Sequence, residues 1–115
     1  MNTSTFLKTA ALGLAFLTAQ ASAEFLDGNE LHIRMNSSET WEKAYSYGYV
    51  AGVTDAGLGV THCAPANVTL GQVMDLVRNH LAQHPERRNR SGDILINQAL
   101  RAAWPCPQRS RGQGT

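Results

Sequence analysis

The feature that most constrains this chain is a cysteine followed closely by a well-marked helix start. Residues 63–81 read C-A-P-A-N-V-T-L-G-Q-V-M-D-L-V-R-N-H-L. Thr69 can accept the backbone N–H of Gln72, and the Gln72 side chain can return a bond to the Thr69 backbone, which makes T-L-G-Q a capping box. Apolar residues at three- and four-residue spacing then predict a helix with one buried face, which Pro85 ends. That face comprises Leu70, Val73, Met74, Val77 and Leu81.

Cys63 has one other cysteine in the chain to bond with, Cys106, which stands in W-P-C after the last apolar segment. An even number of cysteines in an exported chain predicts a disulfide, because compartments outside the cytoplasm are oxidising. The alternative is a free thiol beside His62, in the manner of a Cys–His nucleophile, and it is less favoured. Closing a loop of about 44 residues predicts roughly 4 kcal/mol of stabilisation.

The N-terminal segment has the pattern of a secretion signal. Lys8 is followed by an apolar run over residues 10–17 and by the small residues A-S-A at positions 21–23. The run is too short to span a bilayer. We therefore expect cleavage after Ala23, a periplasmic location without membrane association, and one helical domain over residues 24–106. Residues 107–115 have no apolar anchor, so we expect a disordered tail.

The charge balance excludes a nucleic-acid-binding role. The chain has ten Lys and Arg residues against nine Asp and Glu residues, and loss of Lys8 with the signal leaves nine of each. Nucleic-acid-binding domains carry a strongly basic surface, which a neutral chain does not provide.

Two further helices have recognisable starts and ends. Glu30 stands three residues after Asp27, as in a capping box, and the short helix that they open should end near Met35. Ser91 can cap the last helix, which Pro105 ends. The expected anchors of the first helix are Leu31, Ile33 and Met35, and those of the last are Leu95, Ile96, Ala99, Leu100, Ala103 and Trp104.

The remaining helix is predicted over residues 41–58, after a cap at Ser38 or Thr40. Gly48 and Gly52 each cost about 1 kcal/mol in a helix relative to alanine. Small residues four apart let another backbone approach closely, so we interpret the pair as a helix-packing groove, for this chain or for a second copy. No stretch alternates as a strand, and the predicted fold is a small all-α bundle with three main helices, a short N-terminal one and one disulfide. The predicted buried stripe of this helix is Trp41, Tyr45, Tyr49, Gly52, Val53 and Ala56.

No arrangement of catalytic residues is evident, so we expect no enzymatic activity, cofactor or metal. His80 and His84 stand four apart and could face one metal ion, but no Glu or Cys completes a ligand set on that face. Asp55 lies in a largely apolar helix, and we interpret it as a polar edge residue or a partner of a nearby backbone group rather than a functional one.

Exposed basic and aromatic residues are the candidates for binding a protein partner. The turn H-P-E-R-R-N-R-S-G after the capped helix is either a solvated loop or an anchor for a carboxylate-bearing partner. Tyr47 lies off the predicted buried stripe and suits an interface. The candidate residues are Tyr47, Arg78, Asn79, Arg87, Arg88 and Arg90.

Four blocks occur in a characteristic order: G-Y-V-A-G-V-T-D-A at 48–56, V-T-L-G-Q at 68–72, H-P-E-R at 84–87 and A-W-P-C at 103–106. In these blocks the chain resembles the Rap/Tai family of immunity proteins associated with type VI secretion, from about Phe25 to Cys106. The resemblance implies a small, exported, helical, disulfide-bonded protein that binds a peptidoglycan-cleaving amidase toxin, often as a homodimer. Such an inhibitor would cover the active-site cleft of the toxin and need no chemistry of its own.

One departure from the family is informative. Family members commonly have two further cysteines where this chain has Met35 and Ser46. We therefore expect the first helix to be held by packing alone and to be the more mobile end. Two alternatives stay open: a periplasmic chaperone resembling the acid-stress protein HdeA, whose lysine-rich character this chain lacks, and a family member without a toxin partner.

Overall fold

The computed structural model describes residues 25–108. Its helices are α1 (Gly28–Met35), α2 (Thr40–Gly57), α3 (Leu70–Gln83) and α4 (Gly92–Ala103), with a 3₁₀ turn at Pro85–Arg87. The predicted all-α fold with one disulfide is confirmed. No helix within this range is long and apolar enough to cross a membrane. The predicted signal segment, residues 1–23, and most of the predicted tail lie outside the described residues.

A single hydrophobic core forms where α1, α3 and α4 meet one side of α2. Among the described residues, α2 supplies one fully buried apolar side chain, Val50, while Tyr49 and Val53 pack against the core from its edge. Most of the α2 surface is therefore left outside the core. The buried apolar residues are Leu26, Leu31, Met35, Val50, Val73, Met74, Val77, Leu81, Leu95, Ile96, Ala99 and Leu100.

The first helix begins as predicted. The N–H of Glu30 donates to Asp27 Oδ1 at 2.8 Å, and the N–H of Asp27 donates to Glu30 Oε2 at 3.2 Å. Leu31 and Met35 are buried, but Ile33 is 64% exposed, so the prediction that Ile33 anchors the helix is wrong. Ile33 stands two residues from each anchor, which places it on the opposite side of the helix.

The predicted buried stripe of α2 is wrong in most of its members. Trp41 and Tyr45 are 60% and 46% exposed, and Gly52 and Ala56 are exposed as well. The buried face is centred about 100° further around the helix, on Ser46 and Val50, with Gly57 at its end. Burial of Ser46 is tolerated because its hydroxyl donates to the carbonyl oxygen of Lys43 at 2.8 Å.

Two predicted N-caps differ from the structure. Glu39, rather than Ser38 or Thr40, is the N-cap residue of α2, and its side chain makes no capping bond. Ser91 is the N-cap residue of α4, but its hydroxyl bonds to the Asp93 carboxylate instead of a backbone N–H. A short polar side chain next to a helix start has several local partners, and spacing alone does not choose among them.

The third helix has the predicted capping box, with the N–H of Gln72 donating to Thr69 Oγ1 at 3.2 Å and the N–H of Thr69 donating to Gln72 Oε1 at 2.8 Å. Its buried residues are as predicted except for Leu70, which is 42% exposed. The apolar face of α4 also matches the prediction, apart from the exposed Ala103 at its end.

The predicted disulfide joins the segment before α3 to the end of α4. Cys63 and Cys106 are bonded, with their Cα atoms 4.8 Å apart. Beside the bond, the N–H of Cys63 donates to the carbonyl oxygen of Trp104 at 2.8 Å. Since both cysteines of the chain are in this bond, the alternative of a free thiol is excluded.

Backbone hydrogen bonds hold α1 to the segment that joins α3 to α4. The N–H groups of Gly28 and Asn29 donate to the carbonyl oxygens of Arg90 and Arg88, both at 2.8 Å. A side chain at Gly28 would not fit, because a Cβ there would lie 2.8 Å from the Cα of Arg88. The start of α1 and the α3–α4 connection therefore form one continuous structure, and the expectation that packing alone holds α1 is wrong.

Candidate partner-binding surfaces

The connection between α3 and α4, residues 84–91, is well ordered by its own hydrogen bonds, and we call it the arginine loop. The N–H of Arg87 donates to the carbonyl oxygen of His84, and the N–H of Arg90 donates to that of Arg87, both at 3.0 Å. Two of its carbonyl oxygens accept hydrogen bonds from the start of α1, as described above. The loop therefore holds a defined shape although it has no apolar residue in the core.

Arg88 points inward and is part of the fold. Its Nε donates to the carbonyl oxygen of Leu81 at 2.7 Å, and its Nη2 lies 3.5 Å from that of Ala82. These carbonyls belong to the last turn of α3, where helical partners are missing and a cation is favourable. The structure therefore gives Arg88 a structural role, and we remove it from the candidate partner-binding residues.

The other candidates on this side of the molecule lie on the surface. Arg87 and Arg90 are exposed on the arginine loop, and Arg87 Nε lies 3.7 Å from Glu86 Oε1. Arg78 pairs with Asp75 at 3.0 Å, and Asn79 is exposed beside it in α3. These residues belong to the end of α3 and the loop that follows, so they can contribute to one surface, whereas Tyr47 is exposed on α2.

Two histidines lie where α3 meets the arginine loop. The rings of His80 and His84 are 4.7 Å apart, and His84 Nδ1 lies 3.2 Å from Glu86 Oε1. Burial lowers the pKa of His80, the charges of His84 and Arg87 lower it further, and Gln98 and Glu86 oppose the shift. Within residues 25–108, no group of three or more His, Cys, Asp or Glu residues is arranged to hold a metal ion.

The outward side of α2 carries a second candidate surface, which we call the α2 outer face: Trp41, Tyr45, Gly48 and Gly52. The guanidinium carbon of Arg34 lies 5.4 Å from the Trp41 ring centroid and 5.0 Å from that of Tyr45. Tryptophan, tyrosine and arginine are the residue types that dominate binding energy at protein interfaces. Sequence reasoning missed this surface because it assigned both aromatic residues to the core.

The glycines of this face do not pack against a helix of their own chain. Apart from its chain neighbours and the nearby backbone of its own helix, a Cβ built on Gly48 or Gly52 would meet no atom within 4 Å. The interpretation of the pair as a packing groove within the chain is therefore wrong, because no described helix covers this side of α2. Packing against a second copy stays a prediction.

A cleft of about 390 Å³ lies between the C-terminal half of α2 and the start of α3. Its lining includes the buried His62, whose Nε2 donates to the carbonyl oxygen of Thr54 at 2.9 Å and whose Nδ1 accepts the N–H of Ala64 at 3.3 Å. Asp55 lines the cleft and is exposed. Since both nitrogens of His62 are engaged with the backbone, this histidine organises the cleft wall.

Comparison with known proteins agrees with the four sequence blocks. The family model of the Rap1a immunity proteins matches residues 27–106, which include all four helices and both cysteines. No curated protein matches the chain. Because the match spans most of its length, the chain belongs to the Rap1a immunity protein family.

Proposed function

We propose that this protein is a periplasmic immunity protein that binds a peptidoglycan-cleaving amidase toxin delivered by type VI secretion and blocks its active site. The observation that carries the proposal is the family match over residues 27–106. A disulfide between Cys63 and Cys106 suits an oxidising compartment, and the A-S-A pattern at residues 21–23 suits export.

The residues that could have formed a Cys–His nucleophile are all engaged within the fold, which agrees with inhibition by binding alone. Both cysteines are in the disulfide, and both ring nitrogens of His62 bond to the backbone. None of these three residues is available as a nucleophile or a general base. We therefore propose an inhibitor that is not an enzyme.

The arginine loop is the first contact surface that we propose for the toxin. Arg87 and Arg90 extend from a loop whose backbone is held to α1, and the Arg88 side chain holds it to α3. A pre-formed loop loses little conformational entropy on binding, so more of its contact energy appears as affinity. Arginine pairs well with carboxylates, which favours an acidic rim around the active site of the toxin.

We further propose that the α2 outer face joins two copies of the protein. The bulky Trp41 and Tyr45 occupy its N-terminal half, while Gly48 and Gly52 and the nearby Ala56 leave its C-terminal half low. An antiparallel pair of α2 helices would place the bulky half of one copy against the low half of the other. A self-complementary surface of this kind is what a two-fold symmetric dimer requires.

Sedimentation velocity over a range of protein concentrations tests this self-association. Tyr45→Ala and Trp41→Ala should each shift the protein toward the monomer. Val60→Ala is the matched control, because Val60 is also highly exposed but lies outside the face. A wild-type protein that sediments as a monomer at all concentrations would exclude the dimer.

A capture experiment tests the main proposal. The mature oxidised protein, residues 24–115, is immobilised and exposed to a lysate of its own organism that contains secreted cell-wall hydrolases, with a Cys63→Ser form alongside. Recovery of one amidase by the oxidised protein, and weaker recovery by the variant, is the expected result. Recovery of no specific protein would favour the chaperone or partnerless alternatives, which suppression of aggregation at low pH would then separate.

A further inference from the structure

The cleft between α2 and α3 combines an apolar lining with a single acidic residue. Most of its lining is small or apolar, and Asp55 is the one acidic residue of the lining. The lining residues come from the end of α2, from the connection over residues 58–69 and from the first turn of α3.

Other polar groups of the lining are satisfied within the fold. His62 bonds to the backbone through both nitrogens, Thr54 Oγ1 donates to the carbonyl oxygen of Val50 at 2.7 Å, and Thr69 belongs to the capping box. Asp55 differs from them. Among residues 25–108, no side chain forms an ion pair or hydrogen bond with its carboxylate, although its backbone carbonyl accepts the N–H of Leu58.

Apolar residues line the same cleft as Asp55. Leu58, the residue after α2, and Leu70, the first residue of α3, line the cleft and are 55% and 42% exposed, and Val68 lies between them in the chain. Leucines with this much exposed surface gain free energy when a partner covers them. The cleft thus combines exposed apolar walls with a single negative charge that has no internal partner.

We propose that this cleft receives a lysine or arginine side chain from an exposed loop of the toxin, an inference that rests on the proposed function and adds a second contact surface to it. The methylene stem of a basic side chain packs on apolar walls while its head group reaches a carboxylate. The pairing is stronger beside apolar groups than in open water, because the local dielectric constant is lower. A volume of about 390 Å³ is at the small end of ligand sites and suits one side chain with its neighbours.

The charge of the cleft selects among occupants. An acidic or phosphate-bearing group would face the Asp55 carboxylate and be repelled. A purely apolar side chain would bury that carboxylate without a partner, which is costly. A basic residue flanked by small or apolar residues satisfies both the charge and the walls.

The cleft can be tested without the toxin by nuclear magnetic resonance. Mature, oxidised, ¹⁵N-labelled protein is titrated with acetyl-Leu-Arg-amide, with acetyl-Leu-Gln-amide as the uncharged probe. Chemical-shift changes with the arginine probe should centre on residues 51–73. The affinity obtained from them should be at least about tenfold lower for the glutamine probe, and also for the arginine probe on Asp55→Asn. Asp75→Asn is the matched control, since Asp75 is an exposed carboxylate of α3 outside the cleft, and it should bind the arginine probe as the wild type does.

Three results of the titration would overturn the proposal: no shift changes around the cleft with the arginine probe, equal changes with both probes, or concentration-dependent changes at the cleft without probe. The last would mean that a second copy fills it. Equal capture of the amidase by the wild type and by Asp55→Arg would also reject the cleft as a toxin contact, while leaving the proposed immunity function intact. Binding of the arginine probe without capture of any amidase would reject the function and keep the cleft.

Discussion

The N–H of Cys63 donates to the carbonyl oxygen of Trp104 at 2.8 Å, beside the disulfide between Cys63 and Cys106. The end of α4 is thus joined to the segment before α3 by both a covalent bond and a backbone hydrogen bond. Because α3 and α4 provide most of the buried core, this junction constrains the two helices that the rest of the bundle packs against.

Loss of the disulfide should destabilise the protein substantially. The bond joins residues separated by 43 positions, and closing a loop of that length stabilises a fold by about 4 kcal/mol. Urea unfolding of the Cys63→Ser/Cys106→Ser protein and of the reduced wild type should show this loss to a similar extent. A difference of less than about 1 kcal/mol from the oxidised wild type would show that packing alone holds the bundle.

Substitution of Arg88 should lower stability, whereas substitution of the neighbouring Arg87 should leave stability nearly unchanged and affect toxin binding. Arg88→Ala removes a charged donor from the carbonyl oxygen of Leu81, so it should cost about 1.5–3 kcal/mol in unfolding free energy. Arg87→Ala should change stability by less than about 0.5 kcal/mol, because the Arg87 side chain is on the surface.

In a binding assay with the captured amidase, Arg87→Glu should weaken the complex. The Arg87→Ala protein serves as the fold control for that measurement. Unchanged binding after charge reversal at both Arg87 and Arg90 would exclude the arginine loop as a toxin contact.

The glycines of α2 should divide into two classes. Gly48→Ala and Gly52→Ala should each stabilise the monomer by about 0.5–1 kcal/mol, since alanine favours the helix and a Cβ would enter open space. Gly57→Ala should destabilise it, because a Cβ there would overlap Thr61 Oγ1 and lie 2.8 Å from Asn97 Oδ1. Thermal unfolding at low protein concentration measures all three, and destabilisation by Gly48→Ala would reveal an internal contact that this structure does not contain.

Stability should fall as the pH drops through the range where free histidine gains a proton. Burial is the main cause that lowers the pKa of both His80 and His32 from 6.5, and the charge of Arg88 adds to the shift at His32. The unfolded chain therefore binds more protons than the folded one below about pH 6.5. The contribution of the two histidines to stability is complete above that range and is lost as the pH falls.

Unfolding free energies measured between pH 8 and pH 5 check the sign. The wild type should lose stability toward pH 5, and the decline should be shallower for His80→Gln. A wild-type stability that rises over this interval would contradict the assignment.

Local rules of helix capping and cysteine pairing are sufficient to predict several features of the fold. Both capping boxes, at Asp27 and Thr69, formed as their sequences indicate, because each is a short-range pattern with a fixed spacing. The pairing of Cys63 with Cys106 followed from the cysteine count and the expected compartment. The resemblance to immunity proteins rests on four short sequence blocks in a characteristic order, and it agrees with the family match.

Properties that depend on tertiary neighbours were less predictable. The spacing of Trp41 and Tyr45 is compatible with burial, but α1, α3 and α4 cover only the Val50 side of α2. Likewise, Arg88 and Arg87 are indistinguishable in the sequence, and only the position of the α3 carboxyl end separates the half-buried donor from the exposed one. Spacing identifies faces, whereas the arrangement of helices decides which face is covered.

A peptidoglycan-cleavage assay with the captured amidase and increasing amounts of the mature oxidised protein tests the proposed inhibition directly. We expect cleavage to stop once the two proteins are present in about equal amounts, because each inhibitor covers one active site. An amidase that remains fully active in a large excess of the folded, disulfide-bonded protein would contradict the proposed immunity function.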